Sequence, residues 1–289
     1  MTTQDQLAEQ FEEHRTYLRA VAYRMLGSTA EADDAVQEAW LRLSRSDTSE
    51  VASLRAWLTT VVSRVCLDLL RARKSRREDS LEVHVPDPVV TNLDADPQAA
   101  AEQADAVSLA LLVVLEALPP RERMAFVLHD MFGVPFDEIG QIVGSTPGAA
   151  TQLASRARRR VREAPTPVAD LPTQRRVLDA FLAAAREGDF EALVEVLDPD
   201  VTLRADVGSS SESVVVRGAA NVASRALMFA KLGPAGIRVL VNGSVGLIAV
   251  VDGRPTSVFS PVIRDGRIVE INIVADPDRL AGLDLQEVI

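Results

Sequence analysis

The sequence predicts a multidomain chain: an all-α half followed by an α+β domain. Apolar residues recur at helical spacing from about residue 5 to 75 and again from about 105 to 162. Pro-containing stretches at Pro86, Pro88 and Pro97 and at Ala164-Pro-Thr-Pro167 interrupt that period. Beyond them, short alternating runs are separated by Asn242-Gly243, Asp252-Gly253 and Asp265-Gly266, two-residue hairpin signals. A chain of 289 residues has room for two or three domains. The expected boundaries are a helical domain over 1–77, an acidic Pro-containing linker over 78–104, a second helical domain over 105–164 and the α+β domain over 171–289.

Each element has its own warrant. Ala32, Ala35, Val36, Ala39, Trp40 and Leu43 form one amphipathic stripe. The polar stretch Ser44–Glu50 ends that helix, and a longer one follows over about Ser53–Arg73 with Leu54, Leu58, Val61, Val62, Val65 and Leu69 inward. Helices resume near Asp105 and run through Leu118. Pro119-Pro120 breaks them, and Arg121–Met131 forms the next helix. In the last domain a helix is expected over Thr173–Gly188 and a short one over Phe190–Leu197. Strands follow over Val201–Val207, Val214–Val216, Ile237–Val241, Leu247–Val251, Ser257–Arg264 and Ile268–Val274.

Glu138–Arg162 reads as helix, turn, helix. Val143-Gly144 closes the first helix; Thr146 is a good N-cap, with Pro147 at the first helical position. Ala150, Ala154, Ala157 and Val161 make the inner face, leaving Thr151, Gln152, Ser155, Arg156 and Arg159 outward. This is the pattern of a DNA-binding helix-turn-helix. Gln pairs bidentately with adenine and Arg with guanine, so Thr151, Gln152, Ser155 and Arg156 are candidates for base edges. Thr146 and Arg158 or Arg159 are candidates for phosphate.

The net charge of −11 is unusual for such a protein and should repel free duplex. Its positive charge is concentrated instead, at Arg71–Arg77 and Arg156–Arg162, while Glu78–Pro120 holds no Lys or Arg. Basic modules joined by an acidic strap suggest DNA binding alongside a larger partner. No apolar run reaches the roughly 20 residues of a membrane span, and the polar start is unlike a signal peptide. One cysteine, Cys66, makes neither a disulfide nor a zinc site. The expected compartment is the cytoplasm, with no membrane, metal or cofactor.

Four stretches resemble bacterial sigma factors of the extracytoplasmic-function type. They are Tyr23–Gly27 with Ala30–Leu43, Leu54–Arg71, Leu118–Leu128 and the helix-turn-helix. The C-terminal addition and Val85-Pro-Asp-Pro-Val89 are similar to the sigma group carrying a SnoaL-like extension with a cone-shaped fold. The resemblance implies sigma domains 2 and 4 followed by that cone domain. It implies core RNA polymerase as partner, with Asp33, Asp34, Gln37 and Glu38 meeting the β′ clamp helices. It implies promoter DNA as the second partner. Arg64, Arg71, Arg73, Lys74, Arg76 and Arg77 serve the −10 element, where Trp57 and the loop Ser44–Ser53 are candidates for a flipped base; the helix-turn-helix reads the −35 element. Pro86, Asp87 and Pro88 are expected to meet the extension at Asp206, Asn242 and Gly243.

No catalytic residue is expected. His, Cys, Tyr and Trp are all missing after residue 171, and Arg204, Asp206 and Asp252 each have a place in a strand or turn. A cone domain also admits a small-molecule ligand. The expectation is therefore a sigma factor regulated in cis by its C-terminal domain. The alternative is a one-component helix-turn-helix regulator with a ligand-sensing cone.

Overall fold

The computed structural model describes residues 3–46, 51, 53–77, 84–93, 107–163, 170–208, 214–230, 235–283, 285 and 288; of residues 3–5, 74–77 and 235 it describes the backbone. The chain divides into two compact units, Met1–Leu81 with Val114–Glu163 and Glu82–Val113 with Ala164–Ile289.

The first unit is helical: α1 (Thr3–Leu26), α2 (Thr29–Leu43) and α3 (Leu54–Arg77), then the end of α4 (Leu109–Glu116), whose first five residues belong to the second unit, α5 (Pro120–Phe126), α6 (Phe136–Val143) and α7 (Pro147–Glu163). Ser28 caps α2, its hydroxyl accepting from the Glu31 amide. The predicted stripe of α2 is buried against α1, Trp40 lying 5.1 Å from Phe11. On α3 the inner face is rotated from the expected one. Leu58, Val62, Cys66, Leu67 and Leu70 are buried, whereas Leu54, Val61, Val65 and Leu69 are partly covered. Packing against α1 and α2 chose the face, and Thr59 became tolerable inside it because its hydroxyl donates back to the Arg55 carbonyl at 2.7 Å. The helix expected over Arg121–Met131 changes pitch at Val127, where one π-helical turn, Val127–Met131, completes it.

The second unit is a seven-stranded sheet carrying helices. Its elements are β1 (Val90–Asn92), α8 (Leu171–Glu187), α9 (Phe190–Val196), β2 (Leu197–Asp206), β3 (Val214–Arg217), α10 (Ala219–Ala230), β4 (Ala235–Val241), β5 (Ser244–Val251), β6 (Arg254–Arg264), β7 (Arg267–Val274) and α11 (Pro277–Ala281). The sheet order is β1-β4-β5-β6-β7-β2-β3, antiparallel except for the β2–β7 pair. Register shifts at Ala249/Val250 and Val262/Ile263 curl it. The three hairpin turns have positive φ at both central residues, 48° and 76° at Asn242-Gly243 for example, which matches the right-handed twist of the flanking strands. Helices α8, α9 and α10 cover one sheet face through Val177, Phe181, Leu193, Leu203, Val222 and Ile271, all buried.

Three elements were not expected: helices α10 and α11, and β1, in which residues of the Pro-containing linker form an edge strand, Thr91 opposite Leu240.

Candidate functional site

Three regions carry the expected contacts. On α2, Asp33, Asp34 and Gln37 are exposed and Glu38 is partly covered. Asp33 pairs with Arg19 at 2.7 Å and Glu38 with Arg42 at 2.8 Å, while Asp34 and Gln37 have no side-chain partner among the described residues. Both pairs are exposed, and such pairs are worth little in water, so they part readily for a competing surface.

On α3 the basic residues separate. Arg64 is exposed without a partner among the described residues, and Arg71 pairs loosely with Asp68 at 3.3 Å. Arg73 is turned inward. Its guanidinium pairs with Glu31 and donates to the Leu26 carbonyl at 2.8 Å. In this arrangement the guanidinium expected to meet phosphate is committed to groups inside the protein. The side chains of Lys74, Arg76 and Arg77, and much of the Ser44–Ser53 loop, lie outside the described residues. Trp57 is partly buried.

The helix-turn-helix is α6–turn–α7. Gly144 takes the left-handed conformation (φ 65°) that ends α6. At Gly140 an added Cβ would stand 2.9 Å from the Ser145 carbonyl oxygen, so only glycine allows the turn to close on α6. Thr146 caps α7 by accepting from the Ala149 amide at 3.2 Å. Ala150, Leu153, Ala154 and Ala157 are buried. Along the outer face, Glu122 of α5 is buried and holds Arg160 at 2.7 Å and Arg156 at 3.3 Å. Arg158 pairs with Asp130 at 2.5 Å. Thr151 bonds back to the Pro147 carbonyl. Gln152, Ser155 and Arg159 remain exposed with no side-chain partner among the described residues. Sequence reasoning missed the clamp by Glu122, which crosses from α5 to α7. An acid two residues after a helix-opening proline is usually only a dipole partner.

In the second unit the strap is fastened at several points. Asp206 accepts from the Val85 amide at 3.0 Å, and its carboxylate lies 3.3 Å from His84. Arg279 donates to Asp87 and to Asp206, each at 2.7 Å, and to the Val85 carbonyl. Asn242 grips the strap at both ends, accepting from the Val89 amide at 3.0 Å and donating to the Val107 carbonyl at 3.1 Å. Pro86 and Pro88 are buried, and Gly243 completes the turn that presents Asn242. Burial alone would raise the Asp206 pKa. Hydrogen bonds from His84, Val85 and Gly208 and the charge of Arg279 outweigh it and bring the group down to about 2. The cation that pins two acids, Arg279, was not singled out from sequence. It sits on a five-residue helix capped by Asp276 and has no periodic signal.

Cys66 is fully buried, and burial pushes its thiol up, so it is an inert core residue. No group of three or more metal-ligating side chains occurs among the described residues. No described helix is long and apolar enough to cross a membrane.

Residues 10–76 match the Sigma-70 region 2 family and residues 108–161 match Sigma-70, region 4. The chain is 41% identical to the ECF RNA polymerase sigma factor SigJ of Mycobacterium tuberculosis, over 96% of this chain and 94% of that protein. It is 36% identical to the probable sigma factor SigI of the same species, over 98% of each. The crystal structure of M. tuberculosis SigJ superposes with a TM-score of 0.77 at 39% identity, covering 96% of this chain and all of that one.

Proposed function

The chain belongs to the extracytoplasmic-function RNA polymerase sigma factors, and on that premise we propose how its parts divide the work of an alternative sigma factor. The α2 face of Asp34, Gln37 and Glu38 docks on the core enzyme. Helix α3 serves the −10 element through Arg64 and Arg71, and α7 reads the −35 element through Gln152, Ser155 and Arg159. Arg156, Arg158 and Arg160 position α7 and contribute positive potential. The α+β domain regulates initiation in cis by holding the linker between the two sigma regions.

One observation carries the regulatory part: Arg279, Asp206 and Asn242 fasten the strap from Val85 to Val107. Regulation through the strap is favoured over a ligand seated inside the domain. Between sheet and helices the stacked Phe181–Phe259 pair and Leu178, Leu240 and Val245 form an apolar cluster, whereas the strap is held by specific charged and amide contacts.

Run-off transcription with core polymerase tests the reading. The full chain should confer initiation at its own promoters. Asp34→Arg with Glu38→Arg should lower affinity for core at least tenfold with an unchanged helical spectrum, because both residues lie outside the buried stripe. Unaltered core affinity would leave that face as a solvated surface.

A further inference from the structure

The basic end of α7 is largely committed within its own domain. Of the five arginines from Arg156 to Arg162, three are ion-paired: Arg156 and Arg160 with Glu122, and Arg158 with Asp130. Arg159 and Arg162 are exposed, with no side-chain partner among the described residues. Glu122 differs from an ordinary surface acid. It is 7% exposed, whereas the side chains of Arg156 and Arg160 are 54% and 46% exposed. The two arginines are four residues apart, so they share one face of α7 and reach the same carboxylate. Beside them Arg121 donates to the Gly144 carbonyl at 3.3 Å. The first turn of α5 thus holds both the turn and the second helix of the helix-turn-helix.

A buried carboxylate stripped of its cation is strongly disfavoured, whereas a half-exposed arginine gives up one partner for another readily. That asymmetry limits numbers. Arg156 or Arg160 can swing to a DNA phosphate while the other stays to neutralise Glu122, but the two cannot leave together. The pair therefore supplies a single phosphate contact. Phosphate contacts add affinity for every sequence alike and carry no base information. We propose that Glu122 is a positioning residue that caps the sequence-independent grip of α7, acting through Arg156 and Arg160 and leaving discrimination to Gln152 and Ser155. The proposal rests on the sigma reading above. It separates two properties of the same helix: Glu122 sets how strongly α7 holds any DNA, and the uncommitted side chains set which DNA it prefers.

The test is the salt dependence of binding. Core polymerase carrying the full chain is titrated onto labelled duplex with the native −35 element, and onto the same duplex with that element scrambled, followed by fluorescence anisotropy. Each phosphate contact steepens the plot of log affinity against log salt by about 0.9. Glu122→Gln keeps the side-chain shape and frees both arginines, so its slope should be steeper than wild type by about one contact. Its gain in affinity should then shrink about three- to fourfold between about 50 and 200 mM salt. The ratio of native to scrambled affinity should be unchanged. Glu122→Asp, which keeps the charge, should hold the slope near wild type, and Glu122→Gln with Arg160→Gln should return it there. An unchanged slope in Glu122→Gln, a uniform loss of affinity at every salt concentration, or a shift in the native-to-scrambled ratio would each overturn the proposal. Should Glu122→Gln alone not fold, Glu122→Gln with Arg160→Gln is compared with Arg160→Gln, and equal slopes overturn it. A wild-type chain that gives core polymerase no promoter-specific run-off would instead sink the sigma reading itself.

Discussion

Among the α7 side chains, chemical type and availability point in different directions. Arginine is the usual reader of guanine, and Arg156 faces outward, but Glu122 holds it together with Arg160. Gln152 is uncommitted, exposed and on the second turn, where an entering helix first meets base edges. Gln152→Ala should therefore relax preference at one position of the −35 element, by about 1–3 kcal/mol between right and wrong base. Arg156→Ala should weaken use of every −35 sequence about equally. Run-off assays on a panel of single-base −35 variants separate the two; a base-selective loss in Arg156→Ala would return that residue to direct readout. Asp206 illustrates a second residue-scale effect. Its folded pKa of about 2 lies below the ordinary carboxylate value of 3.8. Its contribution, of order 2 kcal/mol, is present above pH 4 and is lost as pH falls from about 4 through 2. The strap should loosen in that acid window and be indifferent to this carboxylate between pH 5 and 8. Monitoring strap protection by hydrogen exchange, corrected for intrinsic rates, checks it; loosening already between pH 5 and 8 would show that this carboxylate does not control the strap.

At the scale of elements, β1 is a strand only because β4 pairs with it and Asn242 finishes the pairing. Asn242 has φ 48°, which favours Gly or Asn. Asn242→Gly keeps the turn while deleting the side-chain bonds to Val89 and Val107. The Val89 amide should then exchange about tenfold to a hundredfold faster, with the β4–β5 amides little changed. Equal acceleration of both would mean that the whole sheet, not the strap, was loosened. This contrast explains what was legible beforehand. The β4–β5, β5–β6 and β6–β7 hairpins are local, and their Asn-Gly and Asp-Gly pairs announce them. The α2 stripe and the capped α7 are local too. Helix α10 was missed because apolar residues surround it: Ala223 and Val222 are buried, yet Met228 and Phe229 on the same helix are exposed, which blurs the period. Strand β1, the parallel β2–β7 pair and the Arg279 pin depend on partners far away in sequence, as does the rotation of α3 that buries Thr59 and Ser63 and turns Arg73 inward.

For the whole molecule, the covalent path between the sigma regions is the constraint that joins these observations. From the end of α3 at Arg77 to the start of α4 at Leu109 the linker has roughly 30 residues, about 100 Å if extended. That length would reach across the promoter elements. With the strap fastened at Val85 and at Val107, about eight residues of sequence separate the end of α3 from the first fastening point, about 25 Å if extended. On the reading proposed above, a fastened strap shortens the tether, and the α+β domain limits the distance the sigma regions can span. Full-length Arg279→Met with Asn242→Gly should lift that limit. The variant should initiate more efficiently than wild type on templates whose −10 and −35 elements are moved apart by two to four base pairs, with little change at the native spacing. Its −35 base preference should be unaltered, because α7 is untouched. Run-off yield plotted against spacer length for both proteins is the measurement. Superimposable profiles would show that strap fastening does not set the span, and a uniform drop at every spacing would show that the strap is needed for core binding rather than for reach.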